Sequence, residues 1–186
     1  MGNRQQKTDK IIETTINILG KEGATALSMR KVSESAGISL SNLQYYYKTR
    51  EDLIIATVQF YFKQCQEEVS REWEGFNPNK PHTATLFLKK ILSDLLVDGN
   101  HHSHCTMFRE IWALSSRDPH LAEEMKSYYQ QYAEWLVDLL ASFSDKPKDI
   151  VALLLPYVEG YSIMGSALPL DKNEVVDLLV KLILIN

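Results

Sequence analysis

The sequence predicts an all-α protein of about nine helices in two parts, and three observations carry that reading. Apolar residues recur mainly three and four positions apart, the spacing that lines one face of a helix. Proline occurs only at 78, 81, 119, 147, 156 and 169, leaving long stretches that can stay helical between short connections. The charge is also divided: residues 1–50 carry a net +4 and residues 51–186 a net −8, within a total of −4. A basic amino-terminal part on an acidic body suits a chain whose first end meets a polyanion while the rest does not. At 186 residues, 45% of them apolar, the chain can form one substantial core and a small module, but not a large multidomain enzyme.

The first helix is expected over Lys7–Lys21, burying Ile11, Ile12, Thr15, Ile16, Ile18 and Leu19, with Gly23 ending it because glycine tolerates positive φ. Ser28 then caps a helix that turns Val32 and Ala36 inward and stops at Gly37. Ser39 caps the short helix Leu40–Tyr46, which needs packing through Leu43 because one so short does not persist alone in water. Thr49 caps a long fourth helix, Arg50–Trp73, with Glu51 and Asp52 in the first turn where the helix dipole favours negative charge. Glycine and two prolines interrupt the pattern between 75 and 81. Five more helices follow, near 83–97, 104–116, 119–143, 148–168 and 171–185, with Asp118 before Pro119 and Asp171 as starting signals. The last two present more apolar residues than one modest core consumes, and burial against a second copy would cover the excess.

Other features exclude classes of function. Cys65 and Cys105 lie 40 residues apart with no CxxC spacing, which suits reduced thiols in a cytosolic protein. The start MGNRQQKTDK lacks a signal-peptide core, Gly2 lacks the hydroxyl at position 6 that myristoylation needs, and the apolar runs at 150–155 and 178–185 are short of a membrane span. A cytoplasmic protein without membrane contact is expected. The cluster His101, His102, His104 and Cys105 holds possible zinc donors, but they are too tightly spaced at a loop-to-helix junction to converge on one ion, and no second ligand pair accompanies them. No metal site and no cofactor are expected. No nucleophile elbow, phosphate-cradling glycine loop or HExxH is present, so no catalytic residues are assigned and an enzyme is not expected.

Two short helices joined at Gly37, preceded by a longer one on a basic segment, make a helix-turn-helix whose third helix reads DNA. Gln44 can contact adenine in bidentate fashion, Ser41 several base edges and Leu40 a thymine methyl, with Tyr45 on the same outward side. Ser28, Asn42, Tyr46, Lys48, Thr49 and Arg50 can hold phosphate oxygens and so set register without reading sequence. Of the tyrosines, Tyr47, four residues beyond Leu43, is the one expected in the core.

Residues 20–55, GKEGATALSMRKVSESAGISLSNLQYYYKTREDLII, resemble the DNA-binding signature of the TetR family of bacterial transcriptional regulators. The likeness rests on Gly23, the hydroxyl at 28, Arg30, Val32, Ala36-Gly37-Ile38-Ser39, Leu43, Tyr45-Tyr46-Tyr47 and Lys48-Thr49-Arg50-Glu51-Asp52-Leu53 in register. It covers recognisable pattern over residues 7–60. It implies that Arg30 reaches a base from the second helix, against the plainer reading of an ion pair with Glu34, and that Tyr46 contacts phosphate. Asn42 and Gln44 depart from the small residue or threonine and the tyrosine common at those positions, so the operator cannot be borrowed from a relative, and Ser33 replaces a common alanine.

The resemblance further implies a DNA-binding domain over residues 1–50, linked through helix 50–73 to a ligand-binding and dimerisation domain over 51–186. Its expected partners are a pseudo-palindromic double-stranded operator, a small-molecule effector and a second copy of the chain. The expected lining of an apolar or aromatic effector site, between the helices that start near 104, 119 and 148, is Phe87, Met107, Phe108, Trp112, Tyr128, Tyr132, Trp135, Tyr157 and Tyr161, with Glu159 and Arg109 as charged candidates. The expected dimer seam is Leu153, Leu154, Val158, Leu168, Val175, Leu178, Leu179 and Leu182. A repressor released by its ligand is the leading functional expectation; an activator or dual regulator of the same fold, or a helical interaction protein that does not bind DNA, are the alternatives.

Overall fold

The computed structural model describes residues 3–74, 83–97 and 103–184. Among them are nine α-helices and no strand: α1 (Asn3–Glu22), α2 (Met29–Ala36), α3 (Leu40–Tyr46), α4 (Arg50–Glu74), α5 (Thr83–Leu95), α6 (Ser103–Ser115), α7 (Pro119–Leu140), α8 (Pro147–Met164) and α9 (Lys172–Leu184). Two short 3₁₀ turns, Ala24–Ala26 and Gly165–Ala167, were not foreseen from the pattern. The all-α expectation holds.

Capping explains most of the boundaries. Ser28 accepts from the Lys31 amide and Ser39 from the Asn42 amide, each at 3.2 Å, satisfying donors that the first turn leaves open. Thr49 and Asp52 cap α4 reciprocally: the Asp52 amide donates to Thr49 Oγ1 at 3.0 Å and the Thr49 amide donates to Asp52 Oδ2 at 3.1 Å. Asp171 and Glu174 repeat that arrangement at α9, both at 2.9 Å, while Asp118 receives the His120 and Leu121 amides. Gly37 closes α2 at φ 69°, a left-handed conformation that a side chain disfavours.

Some ends differ from the expectation. α1 begins at Asn3 rather than Lys7, because Arg4, Gln5 and Gln6 are good helix formers and Gln5 donates to Asp9 one turn on at 2.7 Å. α7 stops at Leu140, three residues early. α8 gives way after Met164 to a 3₁₀ turn in which a Cβ on Gly165 would lie 2.7 Å from the Tyr161 ring, so that ring closes over a position only glycine can occupy. Contrary to the reading that no run reaches span length, Pro147–Ala167 has the length and hydropathy of one, at 21 residues and mean hydropathy 1.3. It is a partly covered core helix: Ile150, Val151, Leu154 and Tyr161 are buried while Leu153, Ile163 and Met164 are exposed.

Packing divides the chain into two compact units, Met1–Lys63 with His102–Tyr128, and Gln64–His101 with Tyr129–Asn186. The first therefore holds the helix-turn-helix together with α6 and the start of α7, a grouping of contacts distinct from the functional division expected at residue 50. Within it α1 lies along α6 and against α2, and α2 packs on α3. Ile11, Leu19, Val32, Leu43, Met107 and Ile111 are almost fully enclosed, each such side chain contributing about 1.5–3 kcal/mol of apolar burial. Thr15 and Thr57, also enclosed, donate to the carbonyls of Ile11 and Leu53 at 2.9 and 2.8 Å, so neither hydroxyl is stranded. In the second unit α5 packs on α9 and α8 also meets α9. Phe87 lies between Trp73 and Phe143, at ring separations of 5.4 and 5.8 Å.

Candidate nucleic-acid interface

α3 is a short helix held from one side and open on the other. Leu43 is wholly buried, whereas Ser41, Gln44 and Tyr45 are exposed, and Lys48 just beyond the helix is exposed too. The first three stand at i, i+3 and i+4, so they share a face opposite the anchor. Tyr45 is 74% exposed and meets Tyr46 edge-on at 5.3 Å, an aromatic body in solvent with no burial to account for it. Leu40, Asn42 and Tyr46 are half-buried at the margins. Tyr47 is half-buried, and burial followed by the nearby Asp9 charge raises its phenol pKa, so of the tyrosine run it is the one turned toward the core.

On α2, Arg30 is exposed and the buried Ser33 donates to its carbonyl at 2.8 Å, which shows how a hydroxyl is accommodated where relatives carry alanine. Ser28, Lys48 and Thr49 are exposed, although the Ser28 and Thr49 oxygens already accept cap hydrogen bonds. Arg50 behaves differently from the expected phosphate ligand. Its Nη2 donates to the Ala24 carbonyl at 2.9 Å, and its Nε is buried without a hydrogen-bond partner among the described residues.

That carbonyl belongs to a turn clamped from both ends. The Ala24 amide donates to Glu110 Oε2 of α6 at 2.7 Å, a short bond to a charged acceptor. Gly23, at φ 81°, turns the chain into this contact. The 3₁₀ turn between α1 and α2 is thus pinned by Glu110 at its amide and Arg50 at its carbonyl. Sequence reasoning missed Glu110 because its partner is 86 residues away and no local pattern marks it.

The expected effector residues fall in both units. In the first, Met107 is fully enclosed, Phe108 meets Tyr61 and Phe62 at 4.8 and 5.4 Å, Tyr128 stacks on Phe62 at 6.3 Å, and Trp112 is 45% exposed. In the second, Phe87 belongs to the Trp73 and Phe143 cluster, Tyr132 stacks on Trp135 at 5.6 Å, and Tyr157 tilts against Tyr161 at 6.3 Å. Glu159 of α8 lies half-buried and accepts from the Tyr129 hydroxyl; burial raises its carboxyl pKa and that hydrogen bond opposes the rise. An open groove of about 430 Å³ in this unit is lined by Thr85, Lys89, Asp177, Val180, Lys181 and Leu184, none of them expected lining residues.

Of the expected seam, Leu154, Val175 and Leu179 are buried within their own unit and Val158 and Leu168 are half-buried. Leu153, Leu178 and Leu182 remain open, at 63%, 52% and 39% exposure. His82, His101, His102 and the His104 side chain lie outside the described residues, and among the described ones no group of three metal-ligating side chains occurs.

Residues 11–57 match the family described as bacterial regulatory proteins, tetR family. Across nearly the whole length, the chain is 34% identical over 182 residues to the uncharacterized HTH-type transcriptional regulator in the dhlA 5′ region of Xanthobacter autotrophicus, covering 96% of this chain and 89% of that one. The chain belongs to the TetR family. The HTH-type nicotine-responsive transcriptional repressor HdnoR of Paenarthrobacter nicotinovorans is 21% identical over 174 residues, covering 89% of this chain and 86% of that one. A TetR-family transcriptional regulator from Mesorhizobium loti MAFF303099 shares the fold at a TM-score of 0.76 and 14% identity, covering 99% of this chain and 98% of that one. This TetR-family chain is therefore a helix-turn-helix transcriptional regulator, in a family that binds operator DNA and small effectors.

Proposed function

We propose that the chain is a repressor that binds a pseudo-palindromic operator as a homodimer and leaves it when a small organic molecule occupies its second part, residues 51–186. The observation that carries the DNA-reading role is the open face of α3, where Ser41, Gln44 and Tyr45 stand together opposite the buried Leu43 and beside Lys48. Gln44 reads a base edge, Ser41 and Tyr45 make adjoining contacts, and Lys48, with Ser28 and Thr49, holds backbone phosphate. Arg50 acts from behind this surface by fixing the turn at Ala24. Leu153, Leu178 and Leu182 supply the seam, because exposed leucines on the two last helices are covered when two copies meet about a twofold axis. Repression with release by ligand is supported by the likeness to a nicotine-responsive repressor. A protein of this kind works in the cytoplasm.

The test is retardation of a DNA fragment from the gene's own upstream region. Specific binding that weakens steeply as salt rises supports the reading, since phosphate contacts release counterions. Absence of binding to any fragment from that region, at low salt, overturns it.

A further inference from the structure

We infer that the ligand taken by the second unit is an organic cation, held by the Glu159 carboxylate beside the ring wall of Tyr129, Tyr132 and Trp135. The inference rests on the reading of that part as effector-binding and names the class of effector.

Glu159 is drawn substantially out of water on α8, and the influences resolved on its charge are burial, which works against it, and the Tyr129 hydroxyl, which works for it. No basic side chain adds to that balance. A carboxylate withdrawn from water without a cation is costly, and one hydroxyl offsets only part of the cost. The neighbouring groups deepen the deficit of positive charge. Tyr132 is buried and feels both Cys65 of α4 and Glu159 as negative neighbours, which push its phenol pKa upward after burial itself. The Trp135 ring lies against that of Tyr132 at 5.6 Å and an interplanar angle of 22°.

Three helices, α4, α7 and α8, thus bring together a carboxylate, a thiol and three aromatic rings, with no countercharge. An incoming cation supplies the missing charge to Glu159 while its apolar groups lie on ring faces, whose electron density attracts positive charge. A neutral ligand of equal shape gains only the ring contacts, and an anion is repelled by Glu159.

The experiment compares phenyltrimethylammonium with tert-butylbenzene, which has the same shape and no charge, by isothermal titration of the full chain. The expected result is a preference for the cation of about tenfold or more, in keeping with a desolvated cation held by rings and a carboxylate. Glu159→Gln keeps size and an acceptor and brings the two probes to within about twofold, whereas Tyr129→Phe keeps the ring and the carboxylate and retains the preference. Equal affinities in the wild type, no binding of either probe, or an undiminished preference in Glu159→Gln overturns the inference. Should Glu159→Gln lose its helical circular dichroism, the wild-type comparison decides alone. Operator binding followed in parallel separates the two readings. Cation binding without DNA release leaves the site standing and overturns release by ligand; release by tert-butylbenzene but not by phenyltrimethylammonium does the reverse.

Discussion

Glu110→Ala removes the acceptor of the Ala24 amide and leaves an N–H in a residue only 7% exposed. A hydrogen bond to a charged group contributes about 1.5–3 kcal/mol, and stranding a buried donor costs about 1–3 kcal/mol. The contact is partly buried rather than sealed, so the lower half of those ranges applies and the loss is about 2 kcal/mol. Glu110→Gln keeps an oxygen acceptor without the charge, and should lose about half as much, because charge-assisted bonds are roughly twice as strong as neutral ones. The Arg50 bond to the Ala24 carbonyl remains in both variants, so the turn keeps one of its two anchors. If the clamp fixes the turn that leads into the Ser28 cap, its loss lets α2 and α3 leave the DNA-competent position. The limit on lost operator affinity is then about thirtyfold for alanine and about fivefold for glutamine. Fluorescence anisotropy on an operator duplex and on a random duplex at fixed salt measures this, with melting followed by circular dichroism. The loss should be similar on both duplexes and leave the salt slope unchanged, because Glu110 touches no phosphate. An alanine variant with unchanged operator affinity and unchanged melting temperature refutes the clamp.

Gln44→Ala should reduce discrimination at one operator position by about 1–3 kcal/mol, while Lys48→Ala should weaken operator and random DNA alike and lower the salt slope by about one; equal losses on both DNAs for Gln44→Ala would sink its reading role. Leu178→Glu with Leu182→Glu places charge on exposed seam positions without opening the unit's own core, so the chain should stay helical but sediment as a monomer at micromolar concentration; a persistent dimer would show that the seam lies elsewhere. Glu159→Gln should raise the melting temperature near neutral pH. The folded-state pKa of Glu159 is raised, so its stabilising contribution is complete below the usual value of 4.5 and is lost as pH rises through the folded value. The variant's advantage should therefore vanish below pH 4.5, and an advantage that instead grows on acidification would contradict the assigned environment.

The sequence by itself determined what depends on neighbours within a turn or two. Ser28, Ser39, Thr49 and Asp171 each cap a helix by satisfying an amide three residues on, so their roles are written locally and the structure keeps all four. Gly37 likewise declares its turn, because the left-handed backbone it adopts is a property of one residue. The buried stripe of α1 and the anchor Leu43 follow from helical spacing, and the run from Ala36 to Leu53 carried the family.

Tertiary structure alone decided which of several equivalent residues meets which partner. α9 is apolar around much of its circumference, so spacing could not tell Leu179, packed inside its own unit, from Leu178, left in solvent. The Tyr161 ring could have lined a cavity, but it covers Gly165, and only the placement of that turn reveals it. Arg50 reads as one more cation near DNA until its guanidinium is found on the Ala24 carbonyl, 26 residues back. Glu110 had no legible role at all, since a carboxylate on a helix surface becomes an anchor only when folding brings an orphan amide from 86 residues away to within 2.7 Å. Local propensity sets the elements and their ends, but long-range partners are chosen by how those elements pack, and that choice settles which polar groups must be satisfied and which apolar ones remain open.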